Sequence, residues 1–595
     1  MSDGKYLITT EDESTWKFDR SVIFLGEWCR LFSRKHIWEN LDAIVAEPYG
    51  LNSSQKEIDY LKVIKLEEKL LPELAEILNR HFNCKKSLRY WNIIVGPWLR
   101  TILQLLLNRT HTLIQCFENY KISGTTLYSY YNQSLAALDM KSSYNLFDNE
   151  KWNNVLNGKI MQLIIDKNIS IEVLKDKNFK YQLNSFSLNK DNISQNYKKR
   201  LKRFFYNFYS KLASKLSKNN DGFIIGTYLP VNLLIKLEIA LKQWPQIRIK
   251  NDTDLNSINE VPNIKLRKNL TTQLTNKSLD NFENVTRSLL FELFPVCYLE
   301  GFEKMNLILS KKLWPKSPKF IFTSNNYNSD EIFKLYTATQ VENGKKYFIG
   351  QHGNRFFTDK YFSYPVEEKI CDNFLTWGWS KKSKKYLPTF ILNTAGRSKI
   401  YNTRGKLLLI QKKRQRRFYT WDSPKEYDYF LKNQITFLNK LSEGPNQKIL
   451  IRLGNTIPNK KFRDEFKLIN FKTSLKFDPG IKPIKKLVQA SRLVVHSYDS
   501  TGLLETLSQN IPTIAFWENE LDHLREEVKD DYQRLIDVGI IHLSPLSAAE
   551  KINEIWDNIG VWWFQKSVQD AKDKFCNVYA KSVSNPVNTL VNKLI

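Results

Sequence analysis

The sequence predicts an α/β protein: two Rossmann-like, doubly wound domains facing a cleft, the first enlarged by helical insertions. Three observations carry this. At 595 residues the chain is several times the size of one domain. Short, wholly apolar runs alternate with helix-like segments through the second half, as buried parallel strands do. Polar strings follow several of those runs, where an α/β sheet gathers its ligands.

In chain order, Tyr6 to Thr10 and Val22 to Gly26 read as opening strands. Leu61 to Phe82 and Tyr90 to Asn119 read as long helices. The most apolar region, Trp91 to Phe117, is interrupted by Arg100, Asn108, Arg109 and His111, which fits a buried or surface-seated helix better than a membrane span. The Lys- and Asn-rich stretch 166–196 has little periodicity and reads as an insertion or flap. Phe223 to Gly226 and Val231 to Leu241 form a further strand and helix. The second half gives strands at Phe320 to Thr323, Tyr347 to Ile349, Leu407 to Ile410, Ile449 to Ile451, Leu493 to Val495, Thr513 to Phe516 and Ile540 to Ile541. Helices over Asp330 to Val341, Lys425 to Leu441, Ile484 to Ala490 and Thr501 to Ser508 separate most of them. The polar segment from Trp379 to Leu407, with Pro388, Gly396 and Gly405, is the expected break. It divides the chain into a first domain over 1–395 and a second over 396–562, with a terminal helix over 563–595 packing back on the first.

Hydrophobic residues at 42% and aromatics at 13% exclude a disordered chain. The net charge of +28 calls for an anionic partner: nucleic acid, an acidic membrane face or a phosphorylated substrate. Basic runs stand at Tyr197 to Arg203, Lys381 to Lys385 and Lys412 to Arg417, with solvated loops as the alternative reading. They lack interleaved aromatics, and no nucleic-acid-binding signature is visible, so no nucleic-acid partner is expected. The six cysteines form no C-x-x-C pair, which indicates neither zinc nor disulfides and fits a reducing cytoplasm. The N-terminus lacks the pattern of a signal peptide. Peripheral contact with the anionic inner membrane face stays open.

Chemistry is expected at the strand ends. His352, after a strand and before Gly353, is placed for proton transfer or a phosphate contact, with a loop-bonded histidine as the alternative. Ser500, Thr501 and Gly502 open a helix directly after a strand, so their N–H groups and hydroxyls would cradle a phosphate; the alternative is an ordinary cap by Asp499 or Ser500. Glu505 lies in the first turns of that helix, within reach of a ribose or sugar hydroxyl, with a solvent-exposed helical carboxylate as the alternative. Arg452 suits a carboxylate or phosphate, or else a strand-end ion pair. Glu13 and Glu27 follow the first two strands and are candidates for base or acceptor ligand. Gln351, Gly353, Ser497 and Asp499 complete the candidate binding set, and no D-x-D metal motif stands at a strand end.

Several stretches together resemble a family of transferases encoded in bacterial O-antigen and related surface-polysaccharide loci. They are Phe24 to Cys29, Arg89-Tyr90-Trp91 with Gly96 to Leu99, Thr323-Ser324-Asn325, Gly350 to Gly353, Thr376 to Trp379, and Ser500-Thr501-Gly502 with Glu505 and Pro512-Thr513. More distantly, the His-Gly and Asp-Ser-Thr strings resemble capsule Kdo transferases and teichoic-acid polyol-phosphate transferases. The resemblance implies a GT-B-like fold, an acceptor-side first domain and a nucleotide-donor second domain. It implies a metal-independent glycosyltransferase, whose donor is a CMP-activated acidic sugar such as Kdo or a nonulosonic acid and whose acceptor is a surface glycan or lipid-linked glycan. No separate cofactor is implied. Transfer of a polyol phosphate from a CDP-linked donor is the alternative within the same fold. That family pattern carries a second glycine or Tyr-Gly after Gln-His-Gly and an aromatic-proline pair after Arg-Leu; here stand Asn354-Arg355-Phe356 and Gly454-Asn455.

Overall fold

The computed structural model describes residues 4–129, 135–165, 169–175, 209, 213, 215–248, 254–274, 280–397, 401–412, 424–454, 468, 475–517 and 520–595. The basic run Tyr197 to Arg203, most of the run Lys412 to Arg417, Asn455, and the stretch 166–196 apart from 169–175 lie outside them. Within the described residues there are three sheets, all parallel.

The first comprises β1 (Lys5–Ile8), β2 (Val22–Phe24), β3 (Ala43–Val45), β4 (Ile122–Tyr128) and β5 (Ser170–Leu174), in the order β3-β2-β1-β4-β5. The apolar run of β1 is buried, and its Leu7 pairs with Ile23 on one side and Thr125 on the other. β5 is the beginning of the stretch read as an insertion: Ser170–Leu174 adds an edge strand beside β4. The expected enlargement of the first domain is therefore more than helical, because it includes a complete parallel sheet.

Two long helices, Ser53–His81 and Leu88–Asn119, follow β3. The first begins a little over two turns before its apolar periodicity does, because Asn52 caps it by accepting the Ser54 and Gln55 N–H groups. The charges that interrupt the apolar region find partners inside the protein. Arg100 meets the buried Glu67 at 2.5 and 3.1 Å, and Arg109 donates to Asn108 at 2.6 Å. Among the described residues no helix is long and apolar enough to cross a membrane.

The second sheet is β6 (Phe223–Ile224), β7 (Phe320–Thr323), β8 (Lys346–Gly350), β9 (Asn373–Thr376) and β10 (Tyr386–Pro388), laid side by side in sequence order. Right-handed crossovers in a sheet that never reverses put most of its connecting helices on one face, with Val231–Ala240, between β6 and β7, as the exception. Ile321, Tyr347, Ile349 and Phe374 of this sheet join the core that also holds the first sheet and the long helices. Phe320, Phe322, Phe348 and Leu375 on the opposite face are covered by Leu233, Leu237 and Leu241, and by Leu590 and Leu594 of the terminal helix Pro586–Leu594.

The third sheet is β11 (Lys406–Ile410), β12 (Ile449–Arg452), β13 (Phe477–Asp478), β14 (Ser491–His496), β15 (Thr513–Phe516) and β16 (Ile541–His542). Its order, β13-β12-β11-β14-β15-β16, reverses between β11 and β14, which makes it a doubly wound Rossmann-like layer. The last residues form two helices rather than one. Lys566–Tyr579 buries Val568, Phe575 and Tyr579 in the core of the third sheet, and only Pro586–Leu594 crosses to the second. The crossing segment is tied down where Lys581 donates to the Trp377 carbonyl at 2.8 Å and accepts from the Ile391 N–H at 2.9 Å.

Candidate active site

β8 delivers Gly350 to Gly353 to the carboxyl edge of the second sheet. Gln351 is buried and braces this turn: its Oε1 accepts from the Trp377 N–H at 2.9 Å and the Trp379 indole at 2.8 Å, and its Nε2 donates to the Gly353 carbonyl at 2.8 Å. His352 then emerges half-buried among rings. Phe356 meets it edge-on at 5.2 Å, Tyr327 lies at 6.0 Å and Tyr228 stacks at 6.5 Å. Its Nδ1 is buried without a hydrogen-bond partner. Burial pushes the imidazole down to about 4, so the ring is neutral at physiological pH. Three non-glycine residues beside it, Tyr228, Arg355 and Phe357, hold φ values of 62°, 75° and 67°. Such left-handed conformations cost energy and concentrate at functional turns.

Across from it, β14 ends at the reversal point of the third sheet. Ser497 closes that point by donating from Oγ to the Ile410 carbonyl at 2.9 Å. Ser500 caps the helix Thr501–Ser508, accepting the Leu503 N–H at 3.2 Å. Beneath the cap lies the wholly buried His496, whose Nδ1 faces Ser500 Oγ at 3.2 Å and whose Nε2 faces Thr506 Oγ1 at 3.3 Å. Burial drives this imidazole down to about 3. Gly502 is required by that ring, since a Cβ there would stand 2.8 Å from His496 Cε1.

The two strings meet. The Asn354 N–H donates to Thr501 Oγ1 at 3.1 Å, and its side-chain amide donates to Asp499 at 3.2 Å. The other carboxylate oxygen of Asp499 is held by His523 at 3.1 Å and by the Tyr532 hydroxyl at 3.2 Å. A Cβ on Gly353 would lie 3.1 Å from Thr501 Oγ1, so the glycine permits this approach. Glu505 is bonded by the Asn393 side-chain amide, and its burial raises the carboxyl above the usual range. Backbone bonds from Arg525 to Thr358 at 2.9 Å and from Lys360 to His523 at 3.0 Å extend the contact.

A family model of LIC12162 family transferases matches residues 5–594. The chain belongs to that family. No curated protein matches it. Among solved structures, it is similar to a Listeria monocytogenes protein assigned as a UDP-N-acetylglucosamine 2-epimerase, with 10% identity and a TM-score of 0.36 over 64% of this chain and 95% of that one. It is also similar to the wall teichoic acid polymerase TagF (12%, 0.30, over 49% and 83%). A third is the spinosyn rhamnosyltransferase SpnG complexed with spinosyn aglycone (11%, 0.28, over 63% and 99%). The protein is thus a transferase, built on parallel α/β sheets.

The remaining candidates of this transferase stand elsewhere. Arg452 is engaged at its own strand end, paired with Asp478 and donating to the Gly480 carbonyl at 3.1 Å. Glu27 forms an ion pair with Arg30 at 2.6 Å, in a turn that lies against the helix Pro424–Lys440 of the third-sheet layer. Glu13 is paired with Arg34 and lines a polar cavity of about 440 Å3 at the point where the first sheet reverses between β1 and β4. Among the described residues, no group of three His, Cys, Asp or Glu is placed to hold a metal ion. Reading the strand ends alone misses Asn354, Asn393, His523, Tyr532 and the ring pair Tyr228 and Tyr327. Asn354 did carry a signal, as a departure from the expected glycine or Tyr-Gly.

Proposed function

We propose that this transferase moves a sugar from a nucleotide-activated donor to a surface-glycan or lipid-linked acceptor in the cleft between the second and third sheets. The donor class proposed is a CMP-linked acidic sugar. The observation that carries the reading is the meeting of the His352-Gly353-Asn354 turn with the N-terminus of Thr501–Ser508. A helix opening on a strand end attracts a phosphate through its uncapped N–H groups and its dipole. Thr501 and Gly502 offer those groups, while Ser500 is already occupied with capping.

His352 stands across the same junction. A neutral imidazole accepts a proton at one nitrogen and donates one at the other. In this reading it relays the proton of the acceptor hydroxyl as that oxygen attacks the anomeric carbon and the nucleotide leaves. The anionic donor, once bound, raises the basicity that burial has lowered. Tyr228, which is exposed beside His352, supplies a flat face for a sugar ring.

The test is turnover against a panel of CMP- and UDP-sugars, with product mass distinguishing sugar from polyol-phosphate transfer. His352→Ala is expected to lose at least about a hundredfold in kcat, the usual scale for general acid–base catalysis, with an unchanged thermal unfolding midpoint. Wild-type turnover in that variant removes His352 from the mechanism, and silence of the native protein across the panel overturns sugar transfer.

A further inference from the structure

We infer that the face of helix Val231–Ala240 that points away from the core is a docking surface for an anionic lipid bilayer. The helix is apolar on two opposite sides. Leu233 and Leu237, with Leu241 beyond the last turn, are buried in the core shared with the terminal helix. Val231, Ile235 and Ile239 recur at the four-residue spacing that aligns one face, and they lie opposite. Val231 is 45% and Ile239 58% exposed, and Ile235 is half-buried. Exposed aromatics bracket the helix, with Tyr228 before it at 47% and Trp244 after it at 48%.

Over residues 228–244 the exposed charges have one sign. Lys236 and Lys242 are exposed, and the helix's single carboxylate, Glu238, is wholly buried and bonded to the Gln246 N–H at 2.8 Å. An apolar stripe edged by lysines and flanked by Trp and Tyr fits the boundary between headgroups and acyl chains. Anionic lipid complements both these lysines and the chain's net charge of +28. The surface begins at the site: the Tyr228 ring that stacks on His352 lies three residues before Val231. A lipid-linked acceptor held in the membrane would therefore present its glycan beside His352. This last step rests on the proposed transfer, whereas the docking surface does not.

The test is flotation of the full chain with phosphatidylcholine vesicles containing about 30 mol% phosphatidylglycerol, against phosphatidylcholine alone, at moderate salt. The native protein is expected to float with the anionic vesicles. Val231→Ser/Ile239→Ser should lower partitioning about tenfold, and Lys236→Gln/Lys242→Gln should lower it on anionic vesicles only. Circular dichroism should show all variants folded. Native protein that stays unbound, or an apolar-stripe variant that floats as the native protein does, overturns the surface. Donor turnover is measured separately with a soluble acceptor, so native protein that turns over donor but stays unbound to the vesicles sinks the docking surface and leaves the transfer reading standing.

Discussion

His496 and His352 are both held neutral by burial, for different ends: one braces the helix start from below, the other opens on the cleft. Their effect on acid stability has a definite sign. A histidine lowered to about 3 in the folded chain refuses a proton that the unfolded chain accepts near 6.5. Stability is therefore full above about pH 6.5 and erodes as pH falls toward 3, with about 2 kcal/mol lost by pH 5. His496→Gln, which can still reach Ser500 and Thr506, should flatten the change in urea-unfolding free energy between pH 7 and pH 5; an unchanged slope would assign acid sensitivity to other groups. At this scale the sequence was readable where a residue's partner is adjacent, as for Ser500 capping its own helix. It was not readable where the partner is distant. Arg452 was readable as an anion ligand or as one half of a strand-end ion pair, but its partner Asp478, 26 residues on, is not visible in a linear reading. Gln351 likewise finds its partners at Trp377 and Trp379.

The helix Thr501–Ser508 is positioned by a glycine with no room for a side chain. Gly502→Ala would press a methyl onto His496 and should cost about 1–3 kcal/mol by overpacking. Calorimetric nucleotide affinity should fall with it; native stability and affinity in this variant would mean that the ring has space to move. The terminal helix Pro586–Leu594 completes, beside Val231–Ala240, the cover of the second sheet's outer face. Ending the chain after Val583 should expose Phe320, Phe322 and Phe348, lower the unfolding midpoint and increase binding of an apolar dye; a truncated chain that melts as the full one does would contradict this cover. Elements were legible where burial is two-sided, since β7, β11, β14 and β15 are continuous apolar runs. β4, with Ser123, Gly124 and two threonines, and the edge strands β5, β10 and β13 carry no such signal, so the first sheet was only half visible and β10 fell within the expected domain break.

At the scale of the molecule, the two motif strings are 147 residues apart in sequence at Asn354 and Thr501, yet within hydrogen-bond distance in the fold. Their pairing was expected from strand-end logic, but the residue that joins them was not. Asn354 occupies the position where relatives were expected to carry a second glycine or the Tyr of a Tyr-Gly, and it spans to both Thr501 and Asp499. Glu13 of the first sheet, by contrast, lies at that sheet's own reversal point beside a polar cavity. The most direct test of the account is a crystal structure of the full chain soaked with CMP. The account predicts the phosphate against the Thr501 and Gly502 N–H groups, with Glu505 near the ribose and His352 facing the open side. CMP bound instead at the Glu11 to Glu13 cavity, or a cleft still empty at saturating CMP, would contradict it.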